Sequence, residues 1–231
     1  MPDAILNEQL LEAKLTELEK AKTWSPRIIS RLESSIRSAV DFDLFRINPV
    51  QYAADKNIAE NEAIDLFLYA AKLGLFEMEW HLICPSCGHI IDNFNDLASV
   101  HPDTVCNVCS LQNEATLDDY IQVTFTLSPQ IRDIVFRHPE SLSVEDFYLK
   151  YHLAKGMKTP DGTPLSEALR SLTRVMTYLS PGETTSAQFE LIPGLLSGTD
   201  VLNKTTITLV TNQNQDKASV SLKVHEGKFQ M

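Results

Sequence analysis

In the first third of the chain the apolar positions follow a helical period. Between residues 4 and 22, Leu11, Leu15 and Leu18 recur among glutamates and lysines, the stripe of an amphipathic helix. It predicts a packing arm. A coiled-coil seam between two copies is the sharper alternative, but the pattern stops short of the roughly three to four heptads such a seam needs. The stretch SPRIISRLESSIRSAV offers Ser25 as N-cap and Pro26 as first helical residue, followed by Ile28, Ile29, Leu32, Ile36 and Val40 on one side. NPVQYAADKN repeats the Asn-Pro start. AENEAIDLFLYAAKLGLF is apolar almost all round, with Ala63, Ile64, Phe67, Leu68, Ala71 and Leu75 on one stripe and Leu66, Tyr69 and Leu73 beside it. It predicts a buried central helix that ends at Gly74.

The period then drops to two. FEMEWHLIC sets Phe76, Met78, Trp80 and Leu82 against Glu77, Glu79 and His81, and YIQVTFTL sets Ile121, Val123, Phe125 and Leu127 against Gln122, Thr124 and Thr126. Both predict half-buried antiparallel strands. Further on, SVEDFYLKYHLAKGM predicts a short helix capped by Ser143, with Phe147, Tyr148 and Tyr151 packing in a core more readily than flooring a ligand pocket. The loop KTPDGTP marks a boundary near residue 160. Beyond it the β-prone runs SLTRVMTYL, TSAQFELI, NKTTITLVT and ASVSLKV alternate with SPGE, IPGLLSGTD and NQNQDK, a spacing that suggests a small antiparallel β-sandwich.

Between the two central strands lie all four cysteines, as Cys84-x-x-Cys87, eighteen residues, then Cys106-x-x-Cys109. A metal site, a redox pair and a disulfide framework are the three candidates. No apolar run approaches the roughly 18 residues of a membrane span, and the N-terminus lacks a signal-peptide core. The cytoplasm is therefore the expected compartment, where thiols stay reduced and paired cysteines act as ligands or catalysts. The spacing fits a four-thiolate zinc site. Pro85 fixes φ in the first turn and Gly88 follows Cys87, where positive φ is needed; CNVCS has no such glycine. A thioredoxin-like reading needs one reactive pair opening a helix, and neither pair does. One structural Zn2+ on Cys84, Cys87, Cys106 and Cys109 is the expectation, with His81, His89 and His101 as surface or strand-face residues. A site closed by four thiolates leaves no position for water, so its role is shape.

The predicted fold class is α+β. A helical, winged-helix-like part occupies residues 1–75, a zinc ribbon 76–128, a helical connector 129–160 and a β-rich module 161–231.

Zinc ribbons often bind nucleic acid, and charge argues against that use here. From Gly74 to Ile131 there is no lysine or arginine, against eight acidic groups, in a chain of net charge −11. Phosphate contacts require cations. In a winged helix the recognition helix would present basic groups to the major groove, yet Ala59 to Leu73 offers only Lys72. Neither nucleic acid nor membrane is expected as a partner. No G-x-S-x-G, phosphate-cradling glycine loop or H-E-x-x-H is present, so no catalytic residue is assigned.

The succession FRINPVQYAADKNIAENEAIDLFLYAAKLGLFEMEWHLICPSCG, CNVC, TLDDYIQVTFTLSP and HPESLSVEDFY resembles the region that precedes the catalytic domain in many bacterial class III adenylate/guanylate cyclases. The likeness runs from Phe45 to Tyr148 and more weakly through LSPGE towards LKVHEGKF. It implies a non-catalytic regulatory or scaffold region of a cyclic-nucleotide signalling protein, with the family's metal-binding cysteines carried by Cys84, Cys87, Cys106 and Cys109. Those cyclases continue into a catalytic domain; no paired metal-binding aspartates in a strand context occur before Met231. The chain is expected to be a fragment or a free-standing relative. Its implied partners are a protein or a linked cyclase domain, with homo-oligomerisation through the N-terminal helix as a further possibility. The alternative function is a winged-helix plus zinc-ribbon transcription factor whose acidic surface meets a basic regulator.

Overall fold

Asn7 opens the first helix, its side chain accepting from Leu10 N at 3.2 Å and so satisfying one of the donors that a helix start leaves unpaired. The computed structural model describes residues 5–94, 103–106, 108–109, 112–114, 120–203, 205–212, 214–225 and 228–230. Helix α1 (Glu8–Ala21) turns Leu11, Leu15 and Leu18 into the chain's own core. The leucine stripe is thus a packing arm. Helix α2 (Ile28–Ser38) starts two residues later than a Ser25 cap predicts: Arg27 takes the cap position at φ 69°, while Ser25 N donates to Glu62 Oε1 at 2.7 Å.

Asn48 caps α3 (Pro49–Lys56), accepting from Val50 N and Gln51 N at 2.9 and 3.3 Å. Helix α4 (Glu60–Lys72) buries Ala63, Leu66, Phe67 and Ala70 and stops at Gly74, φ 82°. Its inward face centres on Phe67, whose ring meets Tyr52, Phe76 and Phe125 at centroid distances of 5.0 to 5.3 Å. That rotation leaves Ile64 and Leu68, expected on the buried stripe, 40% and 45% exposed.

Strand β1 (Phe76–Ile83) lies between β2 (Ile90–Phe94) and β5 (Ile121–Leu127), antiparallel to both. It pairs with β5 from Phe76↔Leu127 to Leu82↔Ile121. Ile47, just ahead of α3, bridges Phe125 through reciprocal backbone bonds of 2.8 and 2.9 Å. One hydrophobic core therefore runs from Leu11 to Leu142, across the division expected at residue 75. Short strands β3 (Asp103–Val105) and β4 (Gln112–Glu114) pair apart from this sheet.

Ser143 caps a single helical turn, Val144–Asp146, accepting from Asp146 N at 3.0 Å, and the turn continues as a π-helix over Phe147–Tyr151. Phe147 and Tyr151 pack on the main core, with Tyr151 stacked on Phe45 at 5.6 Å. Helix α5 (Leu165–Leu172) takes the start of the strand predicted over SLTRVMTYL, because LSEALRSL places its leucines at helical spacing.

The C-terminal part holds β6 (Thr184–Leu191), β7 (Gly194–Asp200), β8 (Thr205–Thr211), β9 (Gln215–His225) and β10 (Lys228–Gln230). Strand β7 falls in IPGLLSGTD, where a separator was expected. Strands β6 and β9 pair from Thr184↔Lys223 to Leu191↔Gln215, and β7 and β8 from Gly194↔Thr211 to Asp200↔Thr205. The second ladder is nested within the first along one hairpin, with β10 beside β9. A sandwich is not confirmed: among the described residues of the hairpin only Ala218 is buried. Strand spacing alone reads the same for both architectures, since it does not say whether a second layer closes over the apolar face. No helix among the described residues is long and apolar enough to cross a membrane.

Candidate metal centre

Strand β1 delivers Cys84 at its end, and the chain turns back at once into β2. Gly88 N donates to Cys84 O and Cys84 N to His89 O, both at 2.9 Å. Gly88 takes φ 68°, which a side chain would resist. The second turn, between β3 and β4, has no glycine. Its backbone is held by the sulfur instead: the N–H groups of Cys109 and Val108 donate to Cys106, as that of His89 donates to Cys87. Amide donors of this kind favour the thiolate, the form that binds metal.

The four sulfurs lie within 4.8 Å of one another. The closest pairs join different turns, Cys84 to Cys109 at 3.5 Å and Cys87 to Cys106 at 3.6 Å. These distances are far beyond the roughly 2.05 Å of a disulfide, and a redox C-x-x-C would close within one turn. They approach the edge of about 3.8 Å of a tetrahedron with metal–sulfur bonds of about 2.3 Å. Cys84 and Cys106 are buried, Cys87 and Cys109 partly so. The Cys106 thiol is held below its ordinary pKa, chiefly because Cys87 donates to it; the same hydrogen bond, with burial, pushes Cys87 up. Sulfurs this crowded cannot all carry charge unless a cation sits among them. Cys84, Cys87, Cys106 and Cys109 together fit one metal ion, and a tetrahedron of four thiolates leaves no position for substrate or water.

The first turn is fastened to the connector. Ile90 N donates to His152 O and Ala154 N to Gly88 O, both at 2.9 Å, and His89 forms an antiparallel bridge with Leu153. The connector in turn is fastened to the core by two cations, Arg46 buried and Lys155 half-buried. The Arg46 guanidinium lies 4.6 Å from the Phe45 ring and 4.8 Å from the Tyr151 ring, and donates to Tyr151 O at 2.5 Å. Lys155 Nζ donates to Phe45 O at 2.6 Å and also to Phe42 O, over whose ring it sits at 4.1 Å. Burial lowers Lys155 to about 8, with nearby Arg46 acting the same way against Asp43.

Residues 9–227 match a family of unknown function (DUF5939). The chain belongs to this family. The match takes in the cysteine turns, the connector and strands β6 to β9. No curated protein and no solved structure matches the chain.

Of the histidines expected on the surface or on a strand face, His81 lies on a face of β1, and both it and His89 are buried. His81 is 1% exposed, with Nδ1 2.5 Å from Asn93 Oδ1 and Nε2 2.6 Å from Thr124 Oγ1. Burial lowers it to about 4, aided by Arg46 and opposed by the bond to Asn93, so its ring is neutral at pH 7. His89 is equally buried and stacks on His152 at 5.4 Å. His101 lies outside the described residues. Arg46 and Lys155 carried one sequence signal, single cations set in the aromatic and aliphatic runs LFRI and LAKGM.

Proposed function

We propose that the cysteine centre holds zinc and that the chain is a non-catalytic regulatory or interaction region of the kind that precedes the catalytic domain in bacterial class III adenylate/guanylate cyclases. It acts in cyclic-nucleotide signalling through protein contacts. The observation that carries this reading is the closed four-thiolate centre locked by backbone bonds to the connector, within the stretch that bears the resemblance. Zinc suits such a site because it needs no redox change and prefers a tetrahedron of thiolates in a reducing compartment. Its binding free energy, on the order of 10–16 kcal/mol in small zinc peptides, goes into holding the two turns together.

The order α2, Ile47 bridge, α3, α4, β1, cysteine turns, β5 supports a winged helix whose wing has become a zinc ribbon. Helix α4 stands where a recognition helix would, but its exposed side offers Ile64 and Leu68 with Glu60, Asn61 and Lys72. One cation set beside an acid and two aliphatic groups suits a protein surface better than a phosphate backbone. Arginines of α2 do not replace the missing cations: Arg37 pairs with Glu8 and Glu33, and Arg31 donates to Lys56 O at 2.9 Å.

The test joins the chain to the catalytic domain of a bacterial class III cyclase and compares cyclic-nucleotide formation for the parent and Cys106→Ser. A regulatory region gives a rate that changes when the centre is broken; equal rates contradict the reading. Fluorescence anisotropy with duplex DNA covers the transcription-factor alternative. Micromolar or tighter binding that weakens steeply with salt would favour that alternative.

A further inference from the structure

We propose that two copies of the chain associate through strand β8, which pairs edge to edge and antiparallel with β8 of the second copy across a two-fold axis.

The hairpin needs a partner. A two-stranded ribbon is marginal in water unless a third strand or a packed layer supports it. Strands β6 and β9 have β10 as a third strand, whereas β7 and β8 pair only with each other among the described residues. Their apolar groups stand open to solvent, with Leu195 74%, Val210 72% and Leu209 46% exposed.

The edge of β8 is built for pairing. Natural edge strands are blunted by lysine, proline, bulges or brevity. Strand β8 reads TTITLVT: it carries no charge, no proline and no glycine, and every position but Leu209 is β-branched, the composition that best fits a pleated sheet. Its register with β7 is unbroken over all seven residues. Strand β7 is the poorer candidate, since Gly194, Gly198 and Asp200 interrupt it.

The sequence of β8 selects a copy of itself. With Thr208 on the two-fold axis, an antiparallel pair sets Thr205 opposite Thr211, Thr206 opposite Val210 and Ile207 opposite Leu209. Isologous contacts are self-complementary in this way. Side chains alternate between faces, so Ile207 and Leu209 of both copies form a continuous aliphatic row on one face. Charge points the same way. Across residues 184–225, Glu190, Asp200 and Asp216 balance Lys204, Lys217 and Lys223, giving zero where the whole chain carries −11. Two copies meeting here avoid the repulsion that acts between their other surfaces.

The experiment measures the mass of the full chain in solution by light scattering and sedimentation. The parent is expected as a dimer of twice 25.9 kDa. Thr208→Lys and Thr208→Glu each place like charges across the axis and are expected as monomers, while an equimolar mixture of the two restores the dimer. Glu12→Lys, on the exposed side of α1, is expected to leave the dimer unchanged. A monomeric parent, a dimer indifferent to both Thr208 variants, or a mixture that stays monomeric overturns the proposal.

Discussion

Ile90 donates its backbone N–H to the carbonyl of His152 at 2.9 Å, and with Ala154 on Gly88 this joins the first cysteine turn to the connector through an isolated antiparallel bridge. The cysteine centre and the connector are consequently coupled, although the four cysteines all lie before residue 110 and the connector begins well after it.

Gly88 is the tightest point of that contact. A Cβ there would collide with the Leu165 side chain and come within 2.8 Å of Met157 Sδ, at φ 68°. Gly88→Ala therefore combines positive-φ strain with overpacking, a loss of about 1–3 kcal/mol. The expected outcome is a lower Tm and faster metal loss to a chelator than in the parent. A parent-like Tm and chelation rate would mean that the docking is not tight.

Arg46 should report on the connector. Arg46→Gln removes the guanidinium that lies against the Phe45 and Tyr151 rings and the charged bond to Tyr151 O; a bond of that kind contributes about 1.5–3 kcal/mol. Hydrogen exchange is expected to accelerate at the amides of residues 147–155 while those of α1 to α4 keep their protection. Uniform acceleration across the chain would instead mark Arg46 as part of the main core's stability.

The buried His81 gives stability a defined acid limb. Its folded value of about 4 lies below the ordinary 6.5, so the unfolded chain takes up the proton first. The contribution is complete above pH 6.5 and is lost as pH falls towards 4, amounting to about 3 kcal/mol at most. Measured as a difference between parent and His81→Gln, so that metal loss common to both cancels, the parent should show the steeper fall between those two values. Parallel curves would show that His81 titrates normally.

Much of this was legible in the sequence where a local rule sets the outcome. The cysteine spacing gives the cluster of four sulfurs, because two short turns aim them at one point. The alternation in FEMEWHLIC and YIQVTFTL gives a paired β1 and β5, and Asn48-Pro49 gives the start of α3. Features fixed by a second element were not legible. His81 sits on the polar side of β1 and is buried because Asn93 and Thr124 on the flanking strands meet its two nitrogens. Ser25 is not the cap of α2, since Arg27 takes that place with φ 69°. Strand β7 contains glycines that read as a loop, and only its partner β8 makes it a strand.

Metal removal should loosen more than the ligand turns. In Cys106→Ser the second turn loses a buried ligand and the sulfur that accepts the N–H groups of Val108 and Cys109. Limited proteolysis is expected to cut first between residues 85 and 110 and next in the connector near residues 152–165, while the core from α1 to α4 persists. Resistance equal to the parent in both stretches would contradict the coupling.

Elemental analysis of the full chain, purified without added metal, tests the central claim most directly. The account predicts one zinc per chain, falling well below one in Cys106→Ser. A folded, protease-resistant parent free of metal, or one that carries iron with visible absorption, would contradict it.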